Sequence, residues 1–163
     1  MAYATTRNPT RASLIVIIGK HEFVVQVAVT ADSKQVEGIA KYYGLELPAE
    51  YIQILMTADG FEGTVHEPNN DQESTYLAFY PASKVIENNS LYNIPEFEPN
   101  LMLIGTDMGG EMYFLAKSTD PNYSVPWVRL PSMDIGSRDP LPRLEDRFKT
   151  LSDLIDFDIQ EKN

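Results

Sequence analysis

The 163-residue sequence contains no cysteine. That absence excludes a disulfide scaffold, thiolate metal sites, cysteine nucleophiles and thiol redox chemistry. Histidine is scarce as well, with only His21 and His66, and neither is spaced to share a helix or strand face with a second ligand. No zinc site is expected from them. Long apolar runs are missing. The most apolar stretch, residues 14–18, is followed by Lys20, His21 and Glu22, far short of the roughly 20 residues a membrane helix needs. Residues 1–13 are polar and Thr-rich where a secretory leader would be basic and then apolar, so a cytoplasmic protein is the expectation.

Positive charge is the other shortage. Thirteen Lys and Arg face 24 Asp and Glu, for a net charge of −11 and a pI near 4.5. Nucleic acid is therefore not an expected partner, because phosphate binding needs a basic footprint. The imbalance is local: residues 59–111 carry ten acids against the single base Lys84. Such a stretch reads either as a solvated face that keeps the protein soluble or as an electrostatic docking surface for a basic partner. If it docks, the candidate contacts are Glu62, Glu67, Asp71 and Glu73 in an acidic loop, with Glu96 and Glu98 further on.

What is present suffices for a real core. At 43% hydrophobic and 10% aromatic residues, a chain of this size should bury about 70% of its unfolded surface. Residues 1–13 read as a mobile terminus and residues 14–163 as a single domain. Residues 14–18 and 23–29 are rich in β-branched residues on either side of a four-residue turn, which predicts a hairpin with Phe23, Val25, Val27 and Val29 on its buried face. The period then changes. Asp32 or Ser33 caps a helix with Val36, Ile39, Ala40 and Tyr43 on its apolar side and Gly44 as its C-terminal cap. A second helix starts at Pro48, with Tyr51, Ile52, Leu55 and Met56 as its stripe, and stops at Asp59-Gly60. Residues 61–74 read as an exposed acidic loop. Strands follow at 75–80, 101–104 and 111–115, with a short Ser83-capped helix over 83–89 and a further strand over 123–130 in which Pro126 implies an edge or a bulge. Pro126, Pro131, Pro140 and Pro142 leave little regular structure before a final helix that begins near Thr150 or Ser152, with Leu151, Leu154, Ile155 and Ile159 on one side.

Few constellations carry chemistry. The loop over residues 105–110 is glycine-bearing, but no Lys-Ser or Lys-Thr follows it and Glu111 would repel phosphate, so a hairpin loop is the better reading. Asp107 and Glu111 have the residue types of an acid/base pair or an oxygen site for a hard cation. No Ser sits in a nucleophile elbow. Trp127, the one tryptophan, is a core anchor or a partner-facing hot spot.

Three segments together resemble the SUKH superfamily, which joins a fungal cell-wall-synthesis regulator to bacterial immunity proteins. The first is the helix ending at Gly44, then Leu47-Pro48-Ala49-Glu50-Tyr51, Ile54-Leu55 and Asp59-Gly60. The second runs from Leu101-Met102-Leu103-Ile104 through Gly105-Thr106-Asp107-Met108-Gly109-Gly110 to Glu111-Met112-Tyr113-Phe114-Leu115. The third is the closing helix after Phe148. The likeness spans about residues 33–159 and leaves the hairpin at 14–30 as an addition. It implies an α+β fold with helices packed on a curved, mainly antiparallel sheet. In that fold Leu47, Pro48, Tyr51, Gly60, Gly105, Asp107, Gly109 and Gly110 are structural. It further implies a non-enzymatic role with no cofactor, in which the chain binds and neutralises a cognate toxin, basic and nuclease-like, through the acidic middle. A regulatory or scaffold protein of the same fold and a carboxylate-dependent enzyme are the competing readings.

Overall fold

Strand alternation and helical period divide the chain as its side chains demand. A computed structural model describes residues 13–26, 30–65, 75–117, 126–136 and 147–162. Its strands β1 (Ser13–Ile18) and β2 (His21–Gln26) form the expected hairpin, but with a two-residue turn, Gly19-Lys20, closed by the pair Ile18 and His21. Gly19 has φ +61°, the positive value that the first loop position of a type II′ turn requires. Helix α1 (Ser33–Tyr43) opens on a capping box in which Asp32 accepts from the Gln35 N–H and the Gln35 side chain accepts from Asp32 N–H. It closes on left-handed Gly44.

Helix α2 (Ala49–Thr57) turns a different stripe inward from the one expected. Tyr51, Ile54 and Leu55 are buried, whereas Ile52 and Met56 are exposed. The stretch after it is also corrected. Phe61 is fully buried and β3 (Glu62–Val65) is a strand, not loop. Phe61 is edge-on to Phe23 at 5.4 Å and tilted against Phe79 at 5.8 Å, so one aromatic anchor holds an otherwise polar segment in the sheet.

Then come β4 (Thr75–Phe79), α3 (Ala82–Leu91), a short α4 (Ile94–Phe97) absent from the sequence reading, β5 (Leu101–Thr106), β6 (Glu111–Ala116), β7 (Trp127–Pro131), a two-residue β8 (Arg147–Phe148) and α5 (Leu151–Lys162). Ser83 does not cap α3. The N-cap position is Pro81, and the first N–H, of Ala82, donates to the Asp59 carboxylate at 2.6 Å. The cap of α5 is local: Thr150 Oγ1 accepts from Asp153 N–H and Asp153 accepts from Thr150 N–H. Glu50 adds an acceptor for Leu151 N–H from α2.

Among the described residues eight strands pair antiparallel in chain order from β1 to β8, so this is an α+β fold. Strand β7 lies between β6 and β8 rather than at an edge, and Pro126 precedes it, with its carbonyl accepting from Ala116 N–H. The main core joins one face of the sheet to α1, α2, α3 and α5 and contains Trp127, which is edge-on to Tyr51 at 6.4 Å. Trp127 is thus a core anchor. A second core on the opposite face unites Ile94 of α4 with Leu101, Leu103, Met112, Phe114, Val128 and Leu130. Strands β5, β6 and β7 are therefore covered on both sides. The expected residues Val27 and Val29, the terminus 1–12, the loop 66–74 and the segments 118–125 and 137–146 lie outside the described residues.

Candidate partner-binding face

The face of the sheet that carries the second core is only partly covered. On β1 to β4 the core side takes Val16, Ile18, Phe23, Val25, Leu77 and Phe79, so alternation sends Ile15, Val24, Thr64 and Tyr76 to the other side. These four are successive cross-strand neighbours. Among the described residues no helix lies on them, and Val24 is exposed. Beyond them α4 and the 3-10 turn over Ser132–Asp134 cover β5 to β7.

The predicted acidic contacts divide on this frame. Glu62 is exposed on β3, on the open side of the sheet next to Tyr76, whose hydroxyl it raises in pKa, after burial, by its charge and a hydrogen bond. Glu96 is exposed on α4, on the same side of the sheet. Glu98 is half-buried; desolvation raises its carboxyl above the ordinary range, and a hydrogen bond from Gly136 N–H offsets this in part. Glu67, Asp71 and Glu73 lie outside the described residues. Asp59 is occupied as the α3 cap.

Asp107 is occupied too. The Asp107 carboxylate is buried and accepts from Gly109 N–H at 2.7 Å and Glu111 N–H at 2.9 Å, while Thr106 Oγ1 donates to Glu111 O and accepts from Met108 N–H. This side chain builds the β5–β6 loop, and the positive φ values fall on Met108 and Gly110 rather than on Gly109. Gly105 has a different reason to be glycine: a Cβ there would lie 2.2 Å from the Ala78 carbonyl of β4. Gly60, at φ +73°, combines a left-handed backbone with Pro81 where its Cβ would stand. Leu47 and Tyr51 are core, and Pro48 is the α2 N-cap.

A buried charge cluster escaped the sequence reading. Arg129 Nε donates to Asp158 Oδ1 at 2.8 Å, its Nη2 pairs with Glu161 at 2.8 Å, and Nη1 lies 3.6 Å from Glu111. Tyr113 OH donates to the other Asp158 oxygen, and the guanidinium stands 5.3 Å from the Phe157 ring. Burial, opposed by Arg129 and reinforced by Asp107, Asp158 and Glu161, raises the Glu111 carboxyl. The signal was present: Asp158 falls seven residues after Leu151, inside the apolar stripe of α5. The cluster locks α5 to β6 and β7, and its carboxylates are engaged with Arg129. No group of three or more metal-ligating side chains occurs among the described residues, and no helix there is long and apolar enough to cross a membrane.

Compared with known families, residues 30–156 match the SMI1 / KNR4 family (SUKH-1). The chain belongs to that family. No curated protein matches it. The SUKH-1 match runs from the approach to α1 into α5 and leaves the β1–β2 hairpin outside. The hairpin is nevertheless tied to the family part of this SUKH-1 chain. A Cβ on Gly19 would overlap the Ser152 side chain, and His21 Nε2 and Lys20 Nζ both meet Asp156 Oδ1 on α5.

Proposed function

We propose that this SUKH-1 protein is an immunity protein that binds a cognate toxin domain, basic and of nuclease type, and neutralises it by covering its working surface. The observation that carries the reading is family membership coinciding with the acidic middle of the chain, whose exposed members Glu62 and Glu96 share one side of the sheet. The family is consistent with toxin immunity. A nuclease surface grips phosphates with Lys and Arg, so an acidic protein face competes for the same ground. Steering between opposite charges can raise association from about 10⁵–10⁶ to about 10⁸–10⁹ M⁻¹s⁻¹ at low salt. Such a protein acts in the cytoplasm of the producing cell. Occlusion needs no covalent step and no cofactor, and the carboxylates with the residue types of acid/base chemistry, Asp107 and Glu111, already serve the loop and Arg129.

The test is protection. Each open reading frame flanking this protein's gene is expressed in a susceptible bacterium, alone to find a toxic one and then with the wild-type protein or with the Glu62→Lys/Glu96→Lys variant. Growth restored by the wild type and reduced by the variant is the expected result. A wild type that neither binds nor protects overturns immunity and favours a non-enzymatic regulatory or scaffold role.

A further inference from the structure

We infer that the docking centre for this partner is the ridge formed where α3 ends, α4 begins and the 132–136 turn lies against them; the inference rests on the immunity reading. Leu91 is 72%, Tyr92 44%, Phe97 46% and Met133 86% exposed, four of the nine large apolar side chains exposed among the described residues of a protein of net charge −11.

The ridge is held in place rather than merely left over. After α3, Asn93 takes the left-handed conformation, φ 54°, and turns the chain so that Ile94 enters the second core. That anchor leaves Phe97 on the outer side, where its ring lies against Gly136 closely enough that a Cβ there would approach to 3.0 Å. Glu98 accepts from Gly136 N–H across the same junction, and the Tyr92 and Tyr80 side chains are hydrogen-bonded. The two segments are thus pinned to each other and present their apolar side chains with little ordering left to do on binding.

The charge around them selects the partner. Residues 85–116 contain five acids and no base, and Glu96 and Asp134 stand exposed beside Phe97 and Met133 in sequence. An apolar centre with an acidic rim is complementary to a protein surface that sets an apolar pocket among Lys and Arg. Nucleic acid, which lacks such a pocket and shares the sign of the rim, does not fit. The occupant is a basic protein.

The probe is the toxic flanking gene product identified by that protection test, purified in a catalytically inactive form. Binding is measured at low and high salt for wild type, Leu91→Ala, Met133→Ala and Glu96→Lys/Asp134→Lys, with Met56→Ala, exposed on α2 on the opposite side of the sheet, as the control. Leu91 and Met133 are so exposed that their truncation leaves the fold intact, which an unchanged melting temperature verifies. Each alanine variant is expected to weaken binding about tenfold or more through faster dissociation. The lysine pair should slow association and flatten its salt dependence, and Met56→Ala should match the wild type. If Leu91→Ala and Met133→Ala bind like wild type, the ridge is not the docking centre, although immunity stands. If the wild type itself does not bind, the immunity reading fails and the ridge proposal falls with it.

Discussion

Asn89 and Leu103 exchange a complete pair of hydrogen bonds: Leu103 N–H donates to Asn89 Oδ1 and Asn89 Nδ2 donates to Leu103 O, both at 2.8 Å. Strand β4 pairs with β5 at Ala78 and Phe79, Tyr80 N–H still donates to Ile104 O, and past that bond the Asn89 side chain of α3 takes the place of a strand neighbour for Leu103. A second bond from Nδ2 to Val85 O satisfies the amide fully. Replacing Asn89 by Leu leaves both Leu103 backbone groups buried and unpaired, which should cost about 2–3 kcal/mol. A thermal melt should show a drop of about 5–10 °C; an unchanged midpoint would mean that another group takes over the pairing.

The Arg129 and Asp158 pair should show the asymmetry of buried charge. Asp158→Asn leaves Arg129 under-compensated, with Glu161 and Glu111 as its other partners, and should cost about 3 kcal/mol in denaturant unfolding. The double change Arg129→Met/Asp158→Leu should recover part of that loss, because the guanidinium and the Asp158 carboxylate leave together while the Glu111 carboxylate loses its Arg129 partner. A double variant as unstable as the single one would show that the pair contributes more than it costs to bury.

Much of this architecture was legible because the signals were local. Asp32 with Gln35, and Gly44, mark the ends of α1; alternation marks Phe23 and Val25; the apolar runs about residues 105–110 mark β5 and β6. What stayed hidden depended on distant partners. Phe61 reads as part of a polar loop until Phe23 and Phe79 enclose it, and the four-residue α4 and two-residue β8 are too short to show a period. Ile52 and Met56 fit a helical stripe as well as Ile54 does; only the position of the sheet decides between them. The candidate site was half legible: composition located the acidic middle, but the burial of Asp107 and Glu98 and the exposure of Leu91 and Met133 are tertiary outcomes.

Gly60 and Gly105 separate two reasons for glycine. Gly60→Ala meets a left-handed backbone and Pro81, and Gly105→Ala meets the Ala78 carbonyl at a separation no Cβ tolerates, so β4 and β5 must part. Each should cost about 2 kcal/mol or more by denaturant unfolding. Stability within about 0.5 kcal/mol of wild type for either would refute the corresponding close approach.

Two carboxylates should give opposite pH signatures. Burial raises Glu98, so its contribution is full below the unfolded carboxylate range and is lost as pH rises through the raised value; Glu98→Gln should stabilise the protein at neutral pH. Asp156 is opposed by its own burial but is lowered on balance by His21 and Lys20, so its contribution is present above the unfolded range and lost as pH falls through the lowered value. Asp156→Asn should therefore destabilise at neutral pH and converge on wild type in acid. Unfolding curves over a pH series check both signs, and parallel curves for wild type and variants would contradict them.

The most direct test of the central claim is the association rate of the intact protein with the inactivated toxin domain, followed by stopped flow as ionic strength rises. Neutralisation through an acidic face predicts fast binding at low salt and a steep fall as the charges are screened, with the Glu62→Lys/Glu96→Lys variant slower and less salt-sensitive. A rate that is independent of salt, and equal for wild type and variant, would contradict it.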